Sequence, residues 1–392
     1  MNKEKSKQIA LLLIISFVSS IALGIIWPFI TVNVYMLGGS LSSIVFIQTI
    51  PYSAYILSRL WGAISDYYGN RKAFIIVGQV LSIIPLFIAS FVRELDLLIL
   101  LIFLLNFFSS ISSPSFLAAL GEAGEGSAYG YSQLAGNIGW TLGALIIGPL
   151  HAVYGQTGIY LLAAATSLLS IAIFSLFYRE EIVPDKAKPL TLKIKESFSL
   201  KLRAKPGFKL FLLAIFLAWV GAYWNSELLK IKLFLLLGES VEKYSAVFGL
   251  GVGLLAVISS YAATKIVEKY GAKTPLLLSL LSYAALFILF SVVDDPVIYT
   301  VLYVIPVWPI FWASQAAAAY YFSEKGFEAE NMGAYIVATS FAVFPASISG
   351  FIADSLSLNL SIAVSAIFPL AAFIVLYLPN LIKFGTKTRE HD

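Results

Sequence analysis

A chain of 392 residues that is 59% hydrophobic and only 12% charged, with a mean hydropathy of +0.87, is too apolar for a water-soluble fold, because soluble domains carry about 25% charged residues. Its solvent is therefore the bilayer, and a net charge of +4 scattered over short loops makes no basic domain for nucleic acid. The absence of cysteine excludes disulfides, thiolate catalysis and cysteine metal sites, and His151 and His391 alone are too few for a histidine metal centre, so no metal or cofactor is expected.

Met1 to Lys7 is short, polar and basic. The apolar run from Ile9 to about Leu37 is too long for a signal-peptide core and lacks a small-residue cleavage site, so it predicts a first span that stays, kinked at Pro28. A second span is predicted from about Leu41 to Ala63 and a third from about Ala73 to Val92. Between them lies Gly62-x-x-x-Asp66-x-x-Gly69-x-Arg71-Lys72, a turn between helices. Gly62 suits close approach of two helix backbones, and Gly69 suits the left-handed conformation that ends a helix. Asp66 at a membrane edge needs a partner, and Arg59 and Arg71 are the nearby candidates.

This stretch resembles the motif between the second and third spans of major facilitator superfamily transporters. Tyr67 stands where a basic residue often follows the Asp. The resemblance implies an all-α membrane fold of twelve spans in two pseudo-symmetric six-helix bundles. It also implies that Asp66 gates the cytoplasmic side, with the N-terminal end of the eleventh span as a further partner.

The fourth span is predicted at about Leu97 to Leu120, the fifth at Tyr131 to Val153 and the sixth at Gly158 to Tyr178. Arg179 to Phe208 breaks the pattern with eight Lys or Arg residues and three prolines. It reads as a cytoplasmic linker, with Leu190 to Leu202 either an amphipathic surface helix or a tether. The second half repeats the layout at about Lys209–Leu236, Tyr244–Thr264, Thr274–Val293, Val297–Phe322, Asn331–Ala353 and Leu358–Leu378. Asp66-Tyr-Tyr-Gly69-Asn-Arg71 answers to Glu268-Lys-Tyr-Gly271-Ala-Lys273, and Leu37-Gly38 to Leu237-Gly238. The expected organisation is a bundle over 1–178, a linker over 179–208, a bundle over 209–380 and a tail over 381–392. With the N-terminus inside, 22 of the 26 Lys and Arg residues fall on the cytoplasmic side, leaving only Arg93, Lys230, Lys232 and Lys243 outside. Both termini are therefore expected in the cytoplasm and the protein in the cell membrane.

Depth singles out the polar residues that a solute would meet. Asn106 lies about 15 Å into a core of about 30 Å, with Gln48 and Asn137 near the same level. Interhelical hydrogen bonding is an equal alternative for each. The resemblance places the fourth span beside the central cavity and puts the arginine of proton antiporters at the position of Asn106, so the usual coupling arginine is absent. In the fifth span Gly130, Gly139 and Gly143 keep the antiporter spacing, but Ala144 replaces the expected proline, leaving close packing. Trp308 and Trp312 share a face of a proline-interrupted tenth span, Gln315 follows, and Trp308 is about 20 Å from Asp295, too deep for an interfacial belt. Trp219 is expected to pack in the core. Glu227, about 27 Å from Lys209, pairs by spacing with Lys230 and is the candidate coupling group, with an interfacial ion pair as the alternative.

The expected function is secondary transport of a small solute by alternating access, with proton-coupled efflux of hydrophobic or amphipathic compounds first. Sugar or neutral-metabolite uptake and facilitated diffusion are alternatives. A non-transporting receptor or scaffold is the rival class. An intramembrane enzyme lacks a Ser–Asp, paired-Asp or His-metal constellation, and no P-loop is present. The expected partners are the solute, protons and the bilayer, and the expected state is a monomer.

Overall fold

The structure, a computed structural model, describes residues 3–179, 189–197, 204–322 and 328–377. Expectations for most of the linker, for the tail over 381–392, and for the side chains of Gln48, Arg59 and 121–130 (Gly130 included) lie outside the described residues. Within them the regular structure is helical, as a chain in hydrocarbon must be when every backbone polar group needs an internal partner.

Ten stretches among the described residues are long and apolar enough to cross a membrane. Twelve were expected, and the difference lies in two places. The fifth and sixth spans fall in one unbroken apolar stretch, Tyr131–Phe177. Gly155 takes a φ of 58° there, a left-handed turn where the fifth span was expected to end. The second span is divided into Leu41–Tyr52, a 3-10 segment Ser53–Leu57, and Ser58–Tyr68. The rest follow their apolar runs: Lys3–Met36, Arg71–Ala89, Leu95–Phe177 for the fourth to sixth spans, Phe208–Leu236, and Lys273–Val292. The eighth span runs Val241–Ala246, a π segment Val247–Gly253, and Leu254–Tyr270.

Local chemistry sets the ends. The Asp295 carboxylate accepts from the N–H groups of Val297 and Ile298, with Pro296 in the first turn where no donor is needed. The tenth span breaks between Pro296–Val304 and Trp308–Phe322, at Pro306, so Trp308 opens its second helix. The eleventh is broken into Glu328–Phe341, Val343–Ala346 and Ile348–Ser355, and the twelfth into Leu358–Val364 and Ile367–Tyr377.

The chain forms two compact units. The first holds Met1–Gly39, Ile50–Ser199 and Leu237–Leu254; the second holds Ser40–Thr49, Leu200–Leu236 and Leu255–Asp392. The beginning of the second span thus groups with the second unit and the beginning of the eighth with the first. In the first unit, spans one and five touch backbone to backbone. A Cβ added at Gly139 or Gly143 would lie 2.1 or 2.2 Å from the carbonyl oxygens of Phe17 and Ile21, and one at Gly24 would lie 2.2 Å from that of Trp140. Such contacts replace the hydrophobic drive that lipid cannot supply. The second unit packs Phe208, Phe211, Leu276, Leu280, Phe311 and Phe322 into a continuous core.

Candidate functional site

In the first unit the turn after Ser58–Tyr68 is closed by Gly69, whose φ of 62° is the left-handed helix end. Asn70 then caps the third span by accepting from the Ala73 N–H at 3.1 Å. Asp66 is bound by Arg71, Nη2 to Oδ1 at 2.9 Å and Nε to the same oxygen at 2.9 Å. Lys72 donates to the carbonyl of Tyr178 at 2.6 Å, placing a cation at the C-terminal end of the sixth span. The linker helix Leu190–Ser197 packs on Ser58–Tyr68. A Cβ at Gly62 would meet Pro114 at 3.4 Å, an ordinary contact, so no unusually close approach is needed there in this conformation.

Asn106 is 1% exposed and its Nδ2 donates to Ile102 O one turn back on its own helix, at 2.9 Å. Asn137 is half-buried and accepts from Gln133 Nε2 at 3.2 Å. The structure does not bring these two amides together by any direct hydrogen bond among those described.

The second unit does assemble a cluster. Trp219 donates its indole N–H to Gln315 Oε1 at 2.8 Å. Its ring lies 4.9 Å from Tyr223, 6.1 Å from Phe311 and 5.8 Å from Trp312, centroid to centroid. Trp308 meets Trp312 edge-on at 5.9 Å. Gln315 is 1% exposed and Trp312 47% exposed, so the group has a buried polar foot and an open aromatic face. The break at Pro306 supplies the geometry by starting a new helix at Trp308, with Trp312 and Gln315 on successive turns. Trp219, expected in the core, packs partly buried against the second unit's core and also ties the seventh span to this face.

Glu227 is 2% exposed. Its Oε1 accepts from Lys230 Nζ at 2.7 Å and from Ser226 Oγ at 2.8 Å, the i, i+3 pairing expected from spacing. Sequence reasoning missed two other charged groups. Lys232, counted as an outer cation, is buried: its Nζ donates to Phe290 O at 2.8 Å and Asn359 Oδ1 at 2.7 Å and pairs with Asp294 at 2.9 Å. The Lys232 hydrogen bond holds the exposed Asp294 carboxyl below its usual range. Asp354, at the end of the eleventh span, accepts from the N–H groups of Leu41 and Ser42 at 3.0 and 2.9 Å and from the Ser42 hydroxyl. Its one sequence signal was a carboxylate closing an apolar run.

Comparison with known proteins fits this arrangement. Residues 12–347 match the family model of the Major Facilitator Superfamily. A stretch of 155 residues is 30% identical to a multi-drug resistance efflux pump PmrA homolog of Lactococcus lactis subsp. lactis (strain IL1403), covering 37% of this chain and 38% of that protein. Another of 127 residues is 24% identical to the uncharacterized MFS-type transporter YwfA of Bacillus subtilis (strain 168), covering 32% and 31%. The chain thus matches a little over a third, or less, of the length of these relatives. Among solved structures, a point mutant of the nucleoside transporter NupG superposes with a TM-score of 0.77 at 16% identity, covering 94% of this chain and 100% of that one. A POT family transporter in complex with 5-aminolevulinic acid gives 0.77 at 14% identity, covering 94% and 95%. At these identities the likeness is one of fold. The family match over most of the chain, on a fold of apolar helices, makes this an integral membrane protein and a member of the Major Facilitator Superfamily.

Proposed function

We propose that this chain is a secondary transporter that exports small hydrophobic or amphipathic solutes by alternating access, drawing on the proton gradient through Glu227. The observation that carries the solute class is the Trp219, Gln315 and Trp312 cluster. Three indoles, counting Trp308, offer flat apolar faces, and one buried carboxamide offers orientation. A ligand site of this kind is mostly apolar with a few placed polar groups. The cluster carries no fixed charge, so it suits a neutral ring better than an ion. The efflux-pump relative supports the outward direction. The distribution of Lys and Arg supports cytoplasmic termini and a cell-membrane location. Within the first unit, Asn106 and Asn137 are further proposed solute contacts, and Asp66, Arg71 and Lys72 a proposed cytoplasmic gate.

The test is transport by the purified protein in proteoliposomes, using N-phenyl-1-naphthylamine, uridine and dialanine as probes. The naphthylamine moves faster than in protein-free vesicles. Movement of uridine or dialanine alone overturns the solute class, and movement of none across all three overturns the reading of this cluster as a solute site.

A further inference from the structure

Within the first unit, the first, third, fourth and sixth spans leave a cavity of about 50 Å³ between them. That is several times the roughly 10–15 Å³ that one water requires. Two contacts set its place. Gly78 lets the third span press on the fourth: a Cβ there would lie 2.8 Å from the Ser112 nitrogen and 2.9 Å from the Phe108 carbonyl oxygen. At the end nearer Tyr178, Leu12, Leu120, Phe174 and Tyr178 pack into a buried cluster, with the Phe174 and Tyr178 rings stacked at 4.6 Å. Between these contacts Ile15, Ile75, Phe116 and Phe174 form apolar walls. By helical rise Gln79 stands about 12 Å in from Arg71, and Ser170 about 10 Å in from Phe177. Both are therefore within a hydrocarbon layer of about 30 Å.

The polar part of the lining is Ser19, Gln79 and Ser170. Its hydrogen bonds run in one sense. Ser112 gives its hydroxyl proton to the Ser109 carbonyl at 2.9 Å. Its oxygen is left to accept, and Gln79 Nε2 donates to it at 3.1 Å. This bond fixes the orientation of the carboxamide and leaves Oε1 with its lone pairs. The Ser19 and Ser170 hydroxyls donate to the carbonyls of Ser16 and Ile15, at 3.3 and 3.4 Å, and keep theirs. The lining thus offers three accepting oxygens against one remaining proton of the Gln79 amide.

That balance selects the occupant. A buried water makes about three hydrogen bonds and needs polar partners around it. Here it would meet acceptors on one side and four apolar side chains on the other. A molecule that gives one proton and carries an apolar body suits both parts of the wall, the usual composition of a small-molecule site.

We propose that this cavity is a ligand site of the first unit, for a small neutral amphiphile whose hydroxyl donates to Gln79 Oε1 and whose alkyl part packs on Ile15, Ile75, Phe116 and Phe174. It is separate from the Trp219 cluster, which belongs to the second unit, and it does not rest on the reading of that cluster. A bound molecule joins the first and sixth spans to the third and fourth, and stabilises their packing by mass action.

The chain has no cysteine, so an introduced thiol is the only one present. Ser170→Cys sets a thiol in the lining with little change of shape. Ala163→Cys, two turns earlier on the same helix and 0% exposed, is the control. The full chain in nanodiscs is treated with methyl methanethiosulfonate, and labelling is followed by mass spectrometry. Ser170→Cys labels at least tenfold faster than Ala163→Cys. n-Butanol slows that labelling at least threefold, whereas methyl propyl ether, its isomer with no proton to donate, has little effect. Adding Gln79→Leu keeps the fast labelling and abolishes the butanol effect. Equal labelling of the two thiols overturns the cavity as a site. Equal protection by both isomers, or protection that survives Gln79→Leu, overturns the role of the hydroxyl and its acceptor. Protection by neither isomer leaves the cavity to water and overturns the proposal. If Ser170→Cys does not fold, Ser19→Cys, in the lining from the first span, carries the same comparison.

Discussion

Trp219 of the seventh span and Gln315 of the tenth are joined by one hydrogen bond, indole N–H to carboxamide oxygen at 2.8 Å, and Gln315 is 1% exposed. Removing one partner leaves a buried polar atom unpaired, which costs about 1–3 kcal/mol, whereas replacing both by apolar groups is nearly neutral. Trp219→Phe therefore lowers the melting temperature, Gln315→Met lowers it too, and the double variant recovers most of the loss. A double-mutant cycle by thermal denaturation in detergent checks this; additive losses would show that the bond contributes nothing specific. The same variants reduce naphthylamine affinity several-fold if the carboxamide orients the solute.

Asp66→Asn slows transport several-fold and leaves the fold intact. Asp66 is 45% exposed at its side chain and its pair with Arg71 is worth about 0.2–1 kcal/mol at such a site. The melting temperature therefore changes little, while the turn loses the charge that fixes Arg71 beside it. Uptake in proteoliposomes equal to the parent would remove Asp66 from the gate.

Residues that act through near neighbours were legible from sequence, and residues that act through distant ones were not. Asp66 with Arg71, Glu227 with Lys230, and Gly69 at its turn depend on spacings of a few residues, which periodicity exposes. Trp308 and Trp312 were placed on one face by the same rule, and their rings meet. Asp354 binds Leu41 and Ser42 from the far end of the chain, and no local pattern announces that. Lys232 sits one turn from the helix end and looked like a loop cation; only the carbonyl of Phe290 and the amide of Asn359, brought by other spans, make it a buried one. Depth counting placed Asn106 at mid-membrane, but counting gives height and not direction. In this conformation its amide is spent on Ile102. The 3-10 and π segments escaped because hydropathy runs straight through both.

The Lys232–Asp294 pair gives stability an acid limb. Asp294 lies outside the spans, and the Lys232 hydrogen bond and charge depress its pKa in the folded state. A depressed carboxylate stabilises the fold above its unfolded pKa, which is near 3.8, and that contribution is lost as pH falls through the lower folded value. The effect is small, under about 1 kcal/mol, because the Asp294 side chain is 67% exposed and screened. Asp294→Asn flattens the fall of the melting temperature below about pH 4 relative to the parent. Lys232→Met costs more at every pH, because it also strands the Phe290 carbonyl and the Asn359 amide. Identical acid limbs for parent and Asp294→Asn would assign the limb to another group.

Coupling to protons needs a group that is charged in one state of the cycle and neutral in another. Among the described residues of the spans, Glu227 is a carboxylate that is nearly fully buried and paired with a cation, Lys230. A buried pair of this kind is stable only while both charges face each other, since losing one partner leaves the other uncompensated in a poorly solvating site. Lys230 sits three residues on along the same helix, so the pair parts by side-chain rotation and not by movement of the span, and a proton on the carboxylate is the proposed compensation. Ser226, already donating to the same oxygen, stays on the same helix and keeps the carboxylate oriented in either state. The expected outcome is that an imposed pH gradient drives solute accumulation by the parent and fails to drive it in Glu227→Gln, while downhill exchange persists in both. Lys230→Met should then shift the pH dependence of transport instead of abolishing it. Equal accumulation by parent and Glu227→Gln would clear Glu227 of the role and leave the pair as an anchor within the seventh span. Accumulation by neither would mean that the protein equilibrates its solute without protons.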